Sequence, residues 1–247
     1  SIKMKKEQKE NKYLKLIKDL SKNKRGKAIL FFAFYFIFFF LLITTIRTSY
    51  TTNQKRNSQK TINTPYKLTK IEAGNYHFTR EEVVDNVKIN FVGDKENNKT
   101  TGIMTREETV TNYFIYDNIT LVRNNQKYET SPDLYNFDNI TNDKMIAHIL
   151  KKATLISKTE YEEGKTLYNY QITTNTLDDI LYNHKIDLAA APNTITLETN
   201  SDNEVYKISY DLSSYGTYYY NIPHTINITI TYQAFGKVKP ISVPENN

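Results

Sequence analysis

Hydrophobic and polar positions divide this chain into four stretches. The first break is abrupt: Ala28 to Ile46 reads AILFFAFYFIFFFLLITTI, nineteen residues without a charge. At about 1.5 Å per residue a helix of that length spans about 28 Å, close to the apolar thickness of a bilayer. This predicts a transmembrane helix over 28–46, bracketed by Lys27 and Arg47. Further on, the period changes to two. Val87, Ile89 and Phe91 alternate with Lys88 and Asn90. Tyr168, Tyr170 and Ile172 alternate with Asn169 and Gln171. The same holds for Tyr206, Ile208, Tyr210 and Leu212, and for Ile226, Ile228, Ile230 and Tyr232. Such alternation marks strands with one face buried and one in water. Turn chemistry at Gly93-Asp94, Asp117-Asn118, Asn124-Asn125, Glu163-Gly164 and Asp202-Asn203 separates about eight or nine mostly antiparallel strands, paired in sequence.

Two short helices interrupt the strands. Thr141 or Asn142 caps one, whose inward stripe is Met145, Ile146, Ile149, Leu150 and Ala153. Thr176 caps the other, with Leu177, Ile180 and Leu181 inward and Asp178 and Asp179 in its first turn. Tyr218-Tyr219-Tyr220 reads as the start of a buried strand rather than an aromatic platform. The fold class is therefore α+β and β-dominated: an N-terminal transmembrane helix, then an antiparallel half-barrel-like sheet with two short helices. Residues 1–27 form a tail, 47–65 a polar flexible linker, and 66–247 the β-rich domain.

Charge fixes the orientation. Residues 1–27 hold 11 Lys or Arg against 3 Asp or Glu, and Arg47, Lys55, Arg56 and Lys60 follow the apolar run. The greater basic excess before the span places the N-terminus in the cytoplasm and the domain outside the bacterial plasma membrane, with the span as an uncleaved signal-anchor. Lysines surround Tyr13, Ile17 and Leu20 in the tail, which fits a basic amphipathic helix on the inner leaflet or a solvated arm. Residues 61–247 are net acidic, so the basic balance of the whole chain is no sign of a nucleic-acid partner.

Candidate chemistry is sparse. With no cysteine there is no disulfide framework, thiolate metal site or lipoprotein cysteine. His77, His148, His184 and His224 are far apart in sequence, and none has a second ligand at metal spacing. Glu81-Glu82, Glu107-Glu108 and Glu162-Glu163 are neighbours, and on a strand neighbours face opposite ways. The expectation is a non-enzyme with no catalytic residue, no metal and no cofactor.

The order of hairpins, helix, strands, second helix and last long strand, ending ITITYQAFGKVKPISVP over 228–244, resembles the LolA/LprG-type carriers of bacterial envelopes. The similarity spans about 66–247 and includes a closing Tyr232-x-x-Phe235-Gly236-Lys237-Val238-x-x-Ile241-x-x-Pro244 pattern. It implies an unclosed half-barrel that holds acyl chains under helices. Those carriers are soluble or anchored through cysteine, whereas an apolar span here precludes shuttling and leaves local handover or sensing. The implied partners are the bilayer, a lipid or other hydrophobic ligand, and an envelope protein. The implied lining is Ile146, Ile149 and Leu150 on the helix with Ile208, Tyr210, Ile228 and Ile230 on strands, all of which also suit a plain core. Two functions stay open: a membrane-anchored extracytoplasmic binding module, and a structural or regulatory envelope protein whose outer domain docks another protein.

Overall fold

Period-two patterning builds one large sheet. The computed structural model describes residues 65–131 and 134–244, together with Lys22, Ala28 and Tyr35. The expected tail, membrane segment and linker up to Thr64 otherwise lie outside these residues. Among the described residues no helix is long and apolar enough to cross a membrane. Pro65–Asn247 is a compact unit.

A first meander holds β1 (Asn75–Val84), β2 (Val87–Glu96), β3 (Lys99–Arg106), β4 (Thr109–Tyr116), β5 (Ile119–Asn124) and β6 (Lys127–Thr130). The second holds β7 (Thr154–Glu160), β8 (Thr166–Ile172), β9 (Asn193–Thr199), β10 (Val205–Asp211) and β11 (Ile226–Gln233). The order across the sheet is β6-β5-β4-β3-β2-β1-β11-β10-β9-β8-β7. Among the described residues every pair of strands is antiparallel, and β1 with β11 is the strand pairing that joins the two meanders. The sheet is open, with β6 and β7 as its edges.

The described residues hold eleven strands where the sequence reading expected eight or nine, because tight two-residue turns are easily missed. Asp85-Asn86, Asn97-Asn98, Glu107-Glu108, Asp117-Asn118 and Asn125-Gln126 each separate register partners. The first residue of each turn has positive φ, at 47°, 56°, 53°, 45° and 56° respectively. Left-handed backbone at such sites matches the right-handed twist of the flanking strands. Gly93-Asp94, expected as a turn, lies inside β2. Gly93 faces Gly102 of β3, and Gly102 faces Tyr113 of β4. A Cβ on either glycine would meet neighbouring backbone and come within 2.7–2.8 Å of the Tyr113 hydroxyl. Those glycines are a seat for an aromatic ring rather than a chain reversal.

Among the described residues five short α-helices accompany the sheet, not two: α1 (Thr69–Glu72), α2 (Asp138–Thr141), α3 (Asp143–Leu150), α4 (Thr174–Tyr182) and α5 (Ser213–Tyr220). Asn142 caps α3 by accepting from the Met145 amide at 3.1 Å. Thr173, rather than Thr176, caps α4. The tyrosine run belongs to α5, not to a buried strand, and Tyr219 and Tyr220 are 58% and 50% exposed. Buried Asn193 of β9 holds both later helices. Its Nδ2 donates to Thr174 Oγ1 at 3.2 Å, and its Oδ1 accepts from the Tyr215 amide at 2.9 Å.

The helices and the inward residues of the sheet share one core. At the seam that core contains an ion pair. Arg80 and Glu82 of β1 are 4% and 0% exposed, and Arg80 Nε donates to Glu82 Oε1 at 2.7 Å. Arg80 Nη2 also donates to the Asn136 carbonyl at 2.8 Å, and Asn136 Nδ2 donates to Glu82 Oε2 at 2.8 Å. The pair thus pins the chain entering α2 onto the sheet. Glu81, the neighbour of Glu82, faces solvent and pairs with Lys88, as strand geometry requires.

Breaking a buried pair strands the surviving charge, at a cost of about 3–5 kcal/mol, whereas replacing both partners is far milder. Urea unfolding of the Glu82→Leu variant should therefore show a loss of about that size. Arg80→Met combined with Glu82→Leu should recover most of it. A Glu82→Leu loss below about 1 kcal/mol would show that the pair does not anchor the loop.

Candidate ligand-binding site

The inward face of the first meander is not filled. A cross-strand row runs through the register partners Tyr76, Lys95, Thr100, Ile115 and Thr120 on β1 to β5. Two of the five are threonines and one is a lysine, where a filled core calls for large apolar groups. All five line an open cavity of about 810 Å³. Phe78 of β1, with Ile230 and Tyr232 of β11, form the wall toward the seam. Leu134, Tyr135, Asp138 and Thr141 to Lys144 line it from the loop and from α2 and α3.

The lining is amphipathic. Tyr76, Phe78 and Tyr232 form an aromatic cluster, with ring centroids 5.0–6.2 Å apart and close to perpendicular. Tyr135 sits edge-on to Phe91 at 4.7 Å, and its hydroxyl donates to that of Tyr113 at 3.0 Å. The Arg80 guanidinium lies 4.6 Å from the Tyr135 ring centre. Lys95 Nζ pairs with the buried Asp143 carboxylate at 2.7 Å, and the same oxygen accepts from the Tyr76 hydroxyl at 3.2 Å. Burial drives the Tyr76, Tyr135 and Tyr232 hydroxyls far above the usual tyrosine range, so they stay protonated as hydrogen-bond donors.

Asp138 differs from its neighbours. It is an exposed residue on the open side of the concavity, and the partial desolvation imposed by its surroundings raises its pKa above the ordinary aspartate value. Arg80 and Lys95 pull it back, and Asp143 adds to the rise. Among the described residues its carboxylate has no hydrogen bond or ion pair.

All seven residues expected to line a site are buried. Ile146, Ile149 and Leu150 are 1%, 0% and 6% exposed, and Ile208, Tyr210, Ile228 and Ile230 are 0%, 2%, 0% and 4%. Ile230 is the one of the seven that borders the cavity. The other six pack in the common core. Sequence reasoning passed over Lys95, Thr100, Ile115, Thr120 and Asp138 because it searched for apolar stripes. A useful signal was present: small or polar residues at inward positions of otherwise alternating strands.

No protein-family model matches this chain, and no curated protein does either. Solved structures similar to it include two from mycobacteria. One is LppX of Mycobacterium tuberculosis, with 11% identity over 71% of this chain and 97% of that chain, at a TM-score of 0.44. The other is LprF of Mycobacterium bovis, with 10% identity over 72% of this chain and 95% of that chain, at 0.39. Both have the LolA/LprG-like fold that the sequence resembles.

The Asp138 shift has a definite sign. A raised carboxyl pKa means that the fold binds the proton more tightly than the unfolded chain does. Stability then falls as pH rises from the ordinary aspartate value through the raised one. The Asp138→Asn variant should melt no lower than the parent at pH 7, and its advantage should shrink on acidification. Thermal melts across that range test this, and a variant that melts lower at pH 7 would contradict it.

Proposed function

We propose that residues 66–247 are an extracytoplasmic binding module for a lipid or other hydrophobic ligand, carried on a bacterial plasma membrane by the 28–46 segment. In this reading residues 1–27 lie in the cytoplasm and 47–65 link the span to the module. The role is binding rather than catalysis. The observation that carries it is the open cavity of about 810 Å³ on the inward face of β1 to β5. Its walls suit an alkyl chain at Phe78, Ile115, Leu134 and Ile230, and a polar group at Lys95, Asp138 and Asp143. Ligand pockets combine apolar walls with placed polar groups, and here polar residues outnumber the aromatic and aliphatic ones. The uncharged 28–46 run and the basic excess before it support the anchor and its direction. A tethered module suits local handover or sensing, as the departure from the cysteine-anchored carriers implies.

Mass spectrometry of residues 66–247 purified from a bacterial envelope should find about one amphiphile per folded chain. Thr100→Trp, which fills the floor, should remove it while leaving the thermal transition cooperative. A folded chain free of lipid would overturn the proposal.

A second reading, that the outer domain docks an envelope protein, has an observation of its own. Tyr182, Tyr219, Tyr220 and Ile222 are 45%, 58%, 50% and 57% exposed. Contiguous exposed apolar groups often mark a protein contact. A photo-crosslinking residue in place of Tyr219 should then capture a defined envelope protein in cells, and one at Tyr161 should not. Equal capture from both positions would remove this reading.

A further inference from the structure

The two edges of the sheet differ. β6 is short, four residues that include Lys127 and Glu129. β7 runs for seven residues, holds no proline, and is exposed at every position. Its Leu155 and Ile156 are 44% and 54% exposed, on an edge of the kind that proteins usually shield with charge, proline or a covering segment. Among the described residues β8 is the one strand that β7 pairs with, so the main-chain groups on its other side have no strand partner.

The register shows which groups those are. The Tyr161 amide donates to the Lys165 carbonyl at 2.8 Å, so Tyr161, itself extended, turns its backbone toward β8. Alternation in an antiparallel ladder turns Thr159 and Ser157 the same way, opposite Leu167 and Asn169. Lys158 and Glu160 turn their amides and carbonyls to the open edge. A register shift between Leu155 and Ser157 interrupts the regular ladder, which leaves 157–161 as the usable edge.

A second copy of this strand fits that edge in one register. Across a twofold axis, the outward residues of 157–161 can exchange main-chain bonds as Lys158 with Lys158, Glu160 with Glu160, or Lys158 with Glu160. The first two set like charges directly opposite each other, which is destabilising. The third sets each Lys158 opposite the partner's Glu160, on both sides of the axis. Its centre is Thr159, the middle of the stretch, so every residue of 157–161 gains a partner: Thr159 meets its own copy and Ser157 meets Tyr161.

We propose that β7 pairs with β7 of a second copy, antiparallel and centred on Thr159, joining two eleven-stranded sheets into one. Lys158 and Glu160 already form an ion pair within the chain, and the axis brings two such pairs together with alternating sign. Each Lys158–Glu160 couple between chains also exchanges a pair of main-chain hydrogen bonds. The contact is self-complementary, as a closed twofold interface requires, and uses the strand addition that open sheet edges support. β7 lies at the opposite edge of the sheet from β6, so the pairing leaves the cavity on β1 to β5 open.

The test uses the full chain in bacterial membranes, since it has no cysteine of its own. Thr159 meets its copy at a position without main-chain bonds, where Cα atoms lie about 4.5 Å apart, within the range that a disulfide bridges. Under mild oxidation Thr159→Cys should therefore give a covalent dimer on a non-reducing gel, and Thr130→Cys on the β6 edge should not. In the Thr159→Cys background, Lys158→Glu should cut the dimer yield about tenfold, and Glu160→Lys should do the same. The two reversals together should restore it, which separates a charge effect from misfolding. No dimer from Thr159→Cys, or equal dimer from both edges, overturns the pairing. A dimer whose yield ignores the single reversals overturns the register, and with it the proposal. Cross-links to other envelope proteins in place of the dimer overturn the choice of a second copy.

Discussion

The pairing of the first strand with the last is the constraint on which this architecture depends. Each meander alone needs only local hairpins. What makes them one sheet is β1 lying antiparallel to β11, with Phe78 opposite Tyr232, Arg80 opposite Ile230 and Glu82 opposite Ile228. The contact spans nearly the whole domain in sequence, so its loop-closure cost must be offset by what it buries. It buries Ile226, Ile228, Ile230 and Tyr232 on one side and Tyr76, Phe78, Arg80 and Glu82 on the other. The residues following β11 reinforce the join. Asn75 donates through Nδ2 to the Val238 carbonyl at 3.1 Å and accepts from the Val238 amide at 3.0 Å.

The polar pair at that seam decides where the cavity lies. Hydrophobic collapse alone would lay residues 134–137 anywhere on the inward face. Arg80 and Glu82 can be buried only if their remaining donors and acceptors are met, and Asn136 meets them through its amide, carbonyl and side chain. That fixes Tyr135 above Phe91 and brings α2 and α3 across one end of the first meander. Over the second meander, β8 to β11 carry large inward residues that fill the space under α4 and α5. Over the first, Thr100, Thr120, Gly93 and Gly102 leave room. The asymmetry between a packed half and an open half therefore comes from side-chain size at inward positions.

Much of the sheet was legible in the sequence, because a strand with one wet face writes its period directly. The long alternating runs of β8, β10 and β11 and the helix capped by Asn142 could be placed from pattern alone. Turns were harder. Asp117-Asn118 carries an ordinary hairpin signal, whereas Glu107-Glu108 reverses the chain without a glycine or an Asx residue, and Gly93 serves packing instead of turning. The tyrosine run 218–220 misled because aromatic residues favour strands, yet Asn193 and the Tyr215 backbone hold that segment as a helix. The site was the least legible part. Hydrophobicity selects residues that fill space, and a binding cavity is made by residues that do not. Pairing registers were needed to bring Tyr76, Lys95, Thr100, Ile115 and Thr120 into one row, since 44 positions of sequence separate its ends.

Diffraction from crystals of the protein grown with a bromoalkyl amphiphile tests the central claim most directly, because bromine can be located by its anomalous signal without any assumption about the ligand's fit. The account predicts one bromine peak inside the concavity, between Ile115 and Ile230, with the Arg80–Glu82 pair intact beside it. A peak confined to the exposed Tyr219 and Tyr220 surface, with the space above Thr100 closed by its own side chains, would contradict it.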